Sequence, residues 1–551
     1  MKTGFKKLLV IGGLAATGAI GIFATSAKDN FFEISKNLEI FATLYRELNV
    51  FYVDDVQPGD MMKTGIDAML ESLDPYTTYI TESNIEDYRF MTTGQYGGIG
   101  SLIRSVDGDV YISEPYEGFP AFKSGLKAGD KLLMIDGVTI EGKDQEEISK
   151  MLKGQSGTQL EVTFERFGEI QKVMLKREEI KIPDVPYYGM IDENIGYIRL
   201  TSFTQTASQE VKEAFLDLRD KQGMKELIFD LRGNGGGLLR EAVNIVNLFV
   251  PRGQEVVSTK GKIEEWDRKH ITLSEPVDLN IPLVILVDGG SASASEIVSG
   301  TIQDLDRGVV IGNRTYGKGL VQQTRDLQYN NKLKLTVAKY YIPSGRCIQK
   351  LDYSHKNDDG IAEEVPDSLL KVFYTENGRK VMDGRGIEPD LLIQKTEFPH
   401  ILASLLSESL FFKYSNKYAA EHSEIAAATE FRLSDEEYEA FMAYLEDKNY
   451  SYTTDTEREL EELVKIAKKE KYWGLAESEF STLETVLKSK KKKDLIIFKD
   501  EIEDILVNEI VSRYYYQRGR IESSLASDIA VAEAKRVLKE PSEYQAILKP
   551  V

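Results

Sequence analysis

Leu227-Ile228-Phe229-Asp230-Leu231 is apolar but for one acid, and Arg232-Gly233-Asn234-Gly235-Gly236-Gly237 follows it directly, before a helical pattern opens at Leu238. A short apolar run bounded by glycines reads as a buried strand, and the turn after it delivers the chain to a helix amino terminus. The same layout recurs downstream, where Leu283 to Asp288 runs into Gly289-Gly290-Ser291-Ala292-Ser293-Ala294-Ser295-Glu296 and a helix follows from about Ser293 to Leu305. Between and before these lie a strand at Gly196 to Leu200 and helices at Gln209 to Asp220 and Leu238 to Leu248. Strands alternating with helices predict an α/β core with parallel strands.

Outward from this core the character of the chain changes twice. Upstream, beyond a linker marked by Pro183 and Pro186, residues 94 to 177 are glycine-punctuated and β-rich, with one helix at about Asp144 to Lys153. Before that, Leu38, Phe41, Leu44, Tyr45 and Leu48, then Met62, Ile66, Met69, Leu70 and Leu73, follow helical spacing and predict two amphipathic helices ending at Asp74-Pro75. Downstream of about Thr396, glycine and proline nearly vanish and charged amphipathic helices continue to the end, without a recognisable motif. The lysine cluster Lys490 to Lys493 reads as a solvated helix end. Segmentation follows: residues 1-27, 28-92, 93-180, 181-395 and 396-551.

At the extreme amino terminus Lys2, Lys6 and Lys7 precede an uncharged run from Leu8 to Ala24, with small residues Thr25-Ser26-Ala27 after it. This is the layout of a secretory signal, or of an uncleaved membrane anchor, and it predicts export to the periplasm or cell envelope. Its glycines leave it marginal for a bilayer core of about 30 Å.

Composition narrows the function classes. A chain of 551 residues exceeds one core and predicts several domains. Asp and Glu outnumber Lys and Arg by 90 to 69, for a net charge of -21, which argues against a nucleic-acid partner. A mean hydropathy of -0.31 argues against a polytopic membrane protein. One cysteine, Cys347, and four scattered histidines leave no basis for a disulfide or a zinc site, so neither a metal nor another cofactor is expected.

Three stretches could carry chemistry. The glycine turn 233 to 237 could turn backbone amides toward an anion, yet no Gly-Lys-Ser/Thr ends it as phosphate binding would need, and it reads equally as a tight connection. The serine-rich turn could combine a nucleophile with oxyanion-stabilising amides, whereas Ser293 with Glu296 also fits a capping box. Spacing alone does not choose among Ser291, Ser293 and Ser295. None of His270, His355, His400 and His422 has motif neighbours that would make it a base, which leaves Lys318, between Gly317 and Gly319. A lysine serves as a base only when burial or a neighbouring positive charge lowers its pKa from about 10.4.

Taken together, Ser293, Lys318, Gln322 and the Asp230 to Gly237 turn resemble the C-terminal processing peptidases, also called tail-specific proteases. The resemblance runs from about residue 35 to 395. It includes Leu73-Asp74-Pro75, Gly97-Gly98-Ile99-Gly100 and Ala128-Gly129-Asp130 of a PDZ module, Tyr341 to Arg346, and Gly386-Ile387-Glu388-Pro389-Asp390. It implies a crotonase/ClpP-like α/β protease core with an inserted β-rich PDZ domain, amino-terminal helices and an all-α carboxy-terminal extension. It further implies Ser293 as nucleophile, Lys318 as general base and Gln322 as the residue orienting the lysine amine. The amide of Ala294 and that of one glycine of Gly235 to Gly237, taken as Gly236, would form the oxyanion hole. Gln322 lies four residues past Lys318, about 13 Å away on an extended strand, so a bend is expected between them.

By the same resemblance a substrate's free carboxylate docks on the amides of Gly97, Gly98, Ile99 and Gly100, and its apolar side chains meet Ile99, Ile148 and Leu152. Ile148 and Leu152 also fit plain core packing. The expected function is an exported serine endopeptidase that grips apolar protein carboxy termini. The alternative is a catalytically silent periplasmic PDZ scaffold for envelope proteins; an acyl-CoA enzyme of crotonase type would leave the PDZ module without a purpose. Expected partners are peptide substrates and a second copy in a homodimer, with an adaptor protein and membrane association through the amino-terminal segment left open. The helical extension could serve self-association, a partner, or cover for the active site.

Overall fold

The computed structural model describes residues 31–394, 398–488 and 491–549. The predicted signal or anchor at 1-27 and Lys490 of the lysine cluster lie outside the described residues. No helix among the described residues is long and apolar enough to cross a membrane. The chain divides into two compact units, Met1–Tyr79 and Ile80–Val551.

The first unit contains a helix over 31–51 and a second, Pro58–Glu71, opened by proline at its first position, where the missing N–H costs nothing. After it Asp74 takes the chain into a turn, its carboxylate accepting the N–H groups of Tyr76 (2.8 Å) and Thr77 (2.9 Å). The periodic apolar side chains of the first helix are open to solvent, with Leu38 64%, Phe41 44% and Leu44 52% exposed.

The second unit has three parts. A six-stranded antiparallel sheet orders Ser101–Val106, Asp109–Pro115, Lys131–Ile135, Gln159–Arg166 and Glu169–Lys176, with Val138–Thr139 beside the third. Helix Gln145–Leu152 packs on it, capped by Asp144, which accepts Glu147 N–H at 2.8 Å while Glu147 accepts Asp144 N–H at 3.0 Å. Strand Gln95–Gly98 pairs antiparallel with Glu178–Lys181, joining the chain where it enters and leaves this domain.

The central part is a second six-stranded sheet in the order Tyr187–Met190, Ile195–Arg199, Glu226–Asp230, Leu283–Val287, Val309–Gly312 and Leu391–Leu392. Its first pair is antiparallel and the rest are parallel, as continuous apolar strands alternating with helices require. Helices Ala207–Leu216, Leu239–Val246 and Ala294–Asp304 close one face over Leu227, Phe229, Ile285 and Val287. A separate sheet places Leu320–Asp326 against Lys332–Tyr341, and the latter against Glu255–Gly261.

The remainder is helical from His400–Ser407 to Pro541–Ile547. Most of it packs on its own core of Leu405, Phe411, Tyr414, Phe441, Ile502 and Ile510. The last two helices do something else: Val531, Ala534 and Val537 with Tyr544 and Leu548 cover the second face of the parallel sheet, over Ile228, Val284, Leu286 and Ile311. The extension that carried no motif in sequence thus completes the layered core.

Candidate active site

Strand Leu283–Val287 and helix Ala294–Asp304 are joined by a loop whose last residue, Ser293, has φ 55° and ψ -111°. A non-glycine residue at positive φ is costly, about 1–3 kcal/mol, and persists only where its surroundings hold it. They do so from both sides. The Ser293 N–H donates to Glu296 Oε2 at 2.8 Å, and its carbonyl accepts the Tyr340 hydroxyl at 3.2 Å and the N–H groups of Glu296 and Ile297, both at 2.9 Å. The residue therefore stands half-buried at the helix amino terminus, with Ala294 fully buried behind it.

Glu296 is wholly buried, and its carboxylate accepts four donors. Besides Ser293 N–H these are the Thr315 hydroxyl (2.6 Å), Gly317 N–H (2.7 Å) and Lys318 N–H (2.9 Å). One carboxylate thus ties the backbone of Ser293 to that of Lys318. Burial pushes its pKa up to about 7, against the lowering pull of these hydrogen bonds. All four groups are donors, so it is the ionised carboxylate, the form present above about pH 7, that satisfies them together.

Lys318 is half-buried in an extended stretch before strand Leu320–Asp326. Gly317, at φ +88°, has no room for a side chain, since a Cβ there would lie 2.5 Å from Lys350 Cβ. Its carbonyl accepts Lys350 N–H, and Gly319 N–H donates to Gln349 Oε1 at 2.8 Å, so the Lys318 backbone is held on both flanks. Past it the chain makes no helical turn; it enters the strand, and the pairing with Lys332–Tyr341 slips by a residue between Val321 and Gln322. The slip leaves Val337 of the partner strand without a register partner, and Gln322 Nε2 donates to Thr336 Oγ1 at 3.2 Å.

The glycine turn lies against the serine loop. Ser295 Oγ donates to the Asn234 carbonyl (2.8 Å), Ala292 N–H donates to the same oxygen (3.0 Å), and Ser291 Oγ donates to the Leu231 carbonyl (2.8 Å). Asp288 Oδ1 receives N–H groups from both segments, Gly233 at 2.9 Å and Gly290 at 2.9 Å. Gly236 sits at φ +96°, and a Cβ there would come within 2.9 Å of both Ser293 Cβ and Ala294 N. Its own N–H donates to Asn234 Oδ1 at 2.9 Å, and Asn234 Nδ2 donates to the Leu200 carbonyl. Gly236 is therefore the glycine in closest approach to Ser293, with its amide held by the fully buried Asn234. Ser291 and Ser295, both fully buried, spend their hydroxyls on backbone carbonyls, which sets Ser293 apart from them.

In the small β domain, Gly97 and Gly98 end the strand that pairs with Glu178–Lys181, while Ile99 is buried and Gly100, at φ +72°, turns the chain into edge strand Ser101–Val106. Ile148 and Leu152 are buried in the same core as Ile99. Gln145 meets the edge strand: its Nε2 donates to the Ile103 carbonyl (3.1 Å) and its Oε1 accepts Ser105 N–H (3.3 Å). Among the described residues no three His, Cys, Asp or Glu side chains are grouped as a metal site. Burial raises the pKa of the Cys347 thiol, which keeps it protonated and unreactive.

With this geometry in hand the comparisons with known proteins become informative. Residues 194–362 match the profile of peptidase family S41, 97–176 that of a PDZ domain, and 401–538 that of a probable PDZ-protease C-terminal helical domain. A carboxy-terminal-processing protease of Bartonella bacilliformis is 33% identical over 354 residues, covering 62% of this chain and 80% of that relative. The chain belongs to the carboxy-terminal-processing proteases. A probable CtpA-like serine protease of Staphylococcus aureus is 34% identical over 315 residues, 57% of this chain and 62% of that protein. Among solved structures, a photosystem II D1 C-terminal processing protease aligns over 66% of this chain and 88% of its own, at 27% identity and a TM-score of 0.36.

Three features of this family member went unseen in the sequence. Glu296 showed only as a capping partner, although its spacing from Ser293 was plain; its bonds to Thr315, Gly317 and Lys318 depend on the loop 313–319 folding back. Tyr340 carried no signal. Asp230 and Arg232 were visible as part of the turn, but Asp528, which pairs with Arg232, lies in a region without motifs.

Proposed function

We propose that this carboxy-terminal-processing protease is an exported serine endopeptidase that holds an apolar protein carboxy terminus on its PDZ domain and cleaves the chain upstream through Ser293. The observation that carries the reading is the shared carboxylate of Glu296, which binds the N–H of Ser293 (2.8 Å) and of Lys318 (2.9 Å) and so fixes the backbones of nucleophile and base to one buried anchor. In this mechanism neutral Lys318 takes the proton of Ser293 Oγ as the oxygen bonds to the scissile carbonyl carbon. The carbonyl electron pair moves to oxygen, where the Ala294 amide and a glycine amide of the 235–237 turn stabilise it. Breaking of the C–N bond then returns the proton to the departing amine and leaves an acyl-serine, which water hydrolyses by the same path. Gln322 orients the lysine amine.

At the PDZ domain the substrate's carboxylate lies on the amides of Gly97 to Gly100 and its backbone adds beside Ser101–Val106. To do so it replaces the Gln145 amide, which occupies the Ile103 carbonyl and Ser105 N–H of that edge. Export is supported by the lysine-flanked apolar run Leu8 to Ala24. Pairing of two copies through the amino-terminal helices is supported by the solvent-open Leu38, Phe41 and Leu44. A monomer mass by light scattering at micromolar concentration would count against such a dimer.

The deciding experiment offers one unfolded polypeptide with either an apolar tail or the same tail ending in two aspartates, to the wild type and to Ser293→Ala. Cleavage of the apolar-tailed substrate only, lost in Ser293→Ala, is the expected result. Equal cleavage of both tails removes the PDZ role, and cleavage by Ser293→Ala removes the nucleophile.

A further inference from the structure

We infer that Asp528 of the C-terminal helical domain is a positioning residue for the catalytic glycine turn, and that the segment 516–528 carrying it couples the PDZ domain to that turn. The inference rests on the reading of Ser293 as nucleophile.

Arg232 opens the turn, and its guanidinium grips the fully buried Asp230 through Nη2 at 2.6 Å and Nε at 3.0 Å. Tyr197 also donates to Asp230, at 2.6 Å. The Arg232 side chain is therefore held at one end by the strand from which the turn springs. Its other end meets Asp528, 296 residues further along the chain, with Nη1 to Oδ1 at 3.0 Å and Nη2 to Oδ2 at 2.7 Å. Two carboxylates, one from the sheet and one from the helical domain, thus clamp a planar guanidinium that can satisfy both at once. Asp528 is itself fixed, because it caps helix Ile529–Leu538 by accepting the N–H groups of Ala530 (2.9 Å) and Val531 (3.0 Å).

The same stretch of chain reaches the PDZ domain. Arg520 Nη2 pairs at 3.2 Å with Oε2 of Glu114, a buried residue of PDZ strand Asp109–Pro115 whose Oε1 has no hydrogen-bond partner. Tyr516 packs edge-on against Phe122 of the PDZ domain, ring centroids 5.3 Å apart, and it stands at φ 52° and ψ -155°, breaking helix Lys499–Ser524 at the point of contact. Within a short segment, then, one side of the helical domain touches the PDZ domain and the other the residue that begins the glycine turn. A shift of the PDZ domain has a direct mechanical route to Arg232 that does not pass through the ladder between Gln95–Gly98 and Glu178–Lys181.

The full-length protein carrying Asp528→Asn provides the test, because asparagine caps a helix as well as aspartate but removes the charge facing Arg232. Three quantities are read: kcat and KM on the apolar-tailed polypeptide, amide hydrogen exchange of the peptide spanning 231–240, and the melting temperature. The expected result is a kcat lower by about tenfold at unchanged KM, faster exchange in the turn and an unchanged melting temperature. Asp528→Glu, which keeps the charge, should recover part of the lost kcat. Wild-type kcat together with unaltered exchange in Asp528→Asn would overturn the positioning role, as would a loss in rate matched by a loss of global stability. Exchange needs no turnover, so a wild type that cleaved nothing would refute the protease reading while the positioning role was still decided by the turn. Coupling is read from Glu114→Gln: its effect on kcat and that of Asp528→Asn should combine to less than their product, and simple multiplication would remove the PDZ link.

Discussion

The two faces of the parallel sheet are buried by helices of different origin. On one, helices Ala207–Leu216, Leu239–Val246 and Ala294–Asp304 each follow the strand they cover, so closing that face needs only short connections. On the other, Ile529–Leu538 and Pro541–Ile547 arrive from the far end of the chain and lay Val531, Ala534 and Val537 on Ile228, Val284 and Leu286. The first face is made by supersecondary structure and bears the glycine turn and the Ser293 loop at its helix amino termini. The second is made by a domain that also touches the PDZ module, through Arg520 on Glu114 and Tyr516 on Phe122. The S41 profile ends at 362, and helix Ile529–Leu538 belongs instead to the stretch 401–538 that matches the C-terminal helical domain.

That contrast can be broken at either face. Removing residues 529–551 should have the largest effect, because it strips the apolar cover from Ile228, Val284, Leu286 and Ile311; soluble, cooperatively melting protein should be lost, and a truncated chain that melts like the full one would show the second face to be dispensable. Next comes Glu296→Gln, in which an amide NH2 faces donors that need an acceptor. If Ser293 and Lys318 act as proposed, it should lower kcat by about a hundredfold or more while the protein stays folded, since misplacing them costs that much. Activity near that of wild type would mean that the shared carboxylate is only a helix cap.

Ala534→Asp places an unpaired carboxylate in the second face and should cost about 3 kcal/mol or more in chemical denaturation, with kcat of the folded fraction retained. The pH dependence of stability sharpens the first face. With a native pKa of about 7 against an ordinary value of 4.5, Glu296 keeps its proton in the folded state where the unfolded chain has lost it. Its contribution therefore favours folding below pH 4.5 and is lost as pH rises toward 7, a change on the order of 3 kcal/mol. Wild type should lose more stability than Glu296→Gln between pH 5 and 8, and parallel curves would refute the assignment. The smallest effect belongs to Tyr544→Phe, whose hydroxyl donates to the Leu283 carbonyl (3.2 Å) and accepts Leu283 N–H (3.0 Å); about 1 kcal/mol should be lost, and no change would mean that Leu283 is already satisfied by its sheet neighbours.

Much of this is legible in the sequence. The strands at 195–199, 226–230 and 283–287 and the helices after them fall within a residue or two of their sequence reading, save that the helix read to Asp220 ends at Leu216 and continues as a wider turn over Asp217–Lys221. Buried parallel strands announce themselves as unbroken apolar runs, and glycine turns mark where they stop. Helix Gln145–Leu152 likewise falls within a residue of its reading as about Asp144 to Lys153. The passage from Lys318 to Gln322 was read as needing a bend; the structure shows a strand whose pairing slips between Val321 and Gln322, and such slips leave no pattern in one strand because they belong to the pairing of two.

By itself, then, the sequence determined what is local: the order and kind of the core elements and the turn that sets Ser293 at a helix amino terminus. Tertiary structure alone decided that Glu296 would bind the backbones of Ser293 and Lys318 together, that Gly236 would be the glycine pressed against Ser293, and that Arg232 would meet Asp528. The reason is physical. Propensity and periodicity act over a few residues, and their imprint survives in the order of the chain. An ion pair between residues 232 and 528, or a sheet face covered by helices from the opposite end of the molecule, is selected only by shape and charge once the chain has folded.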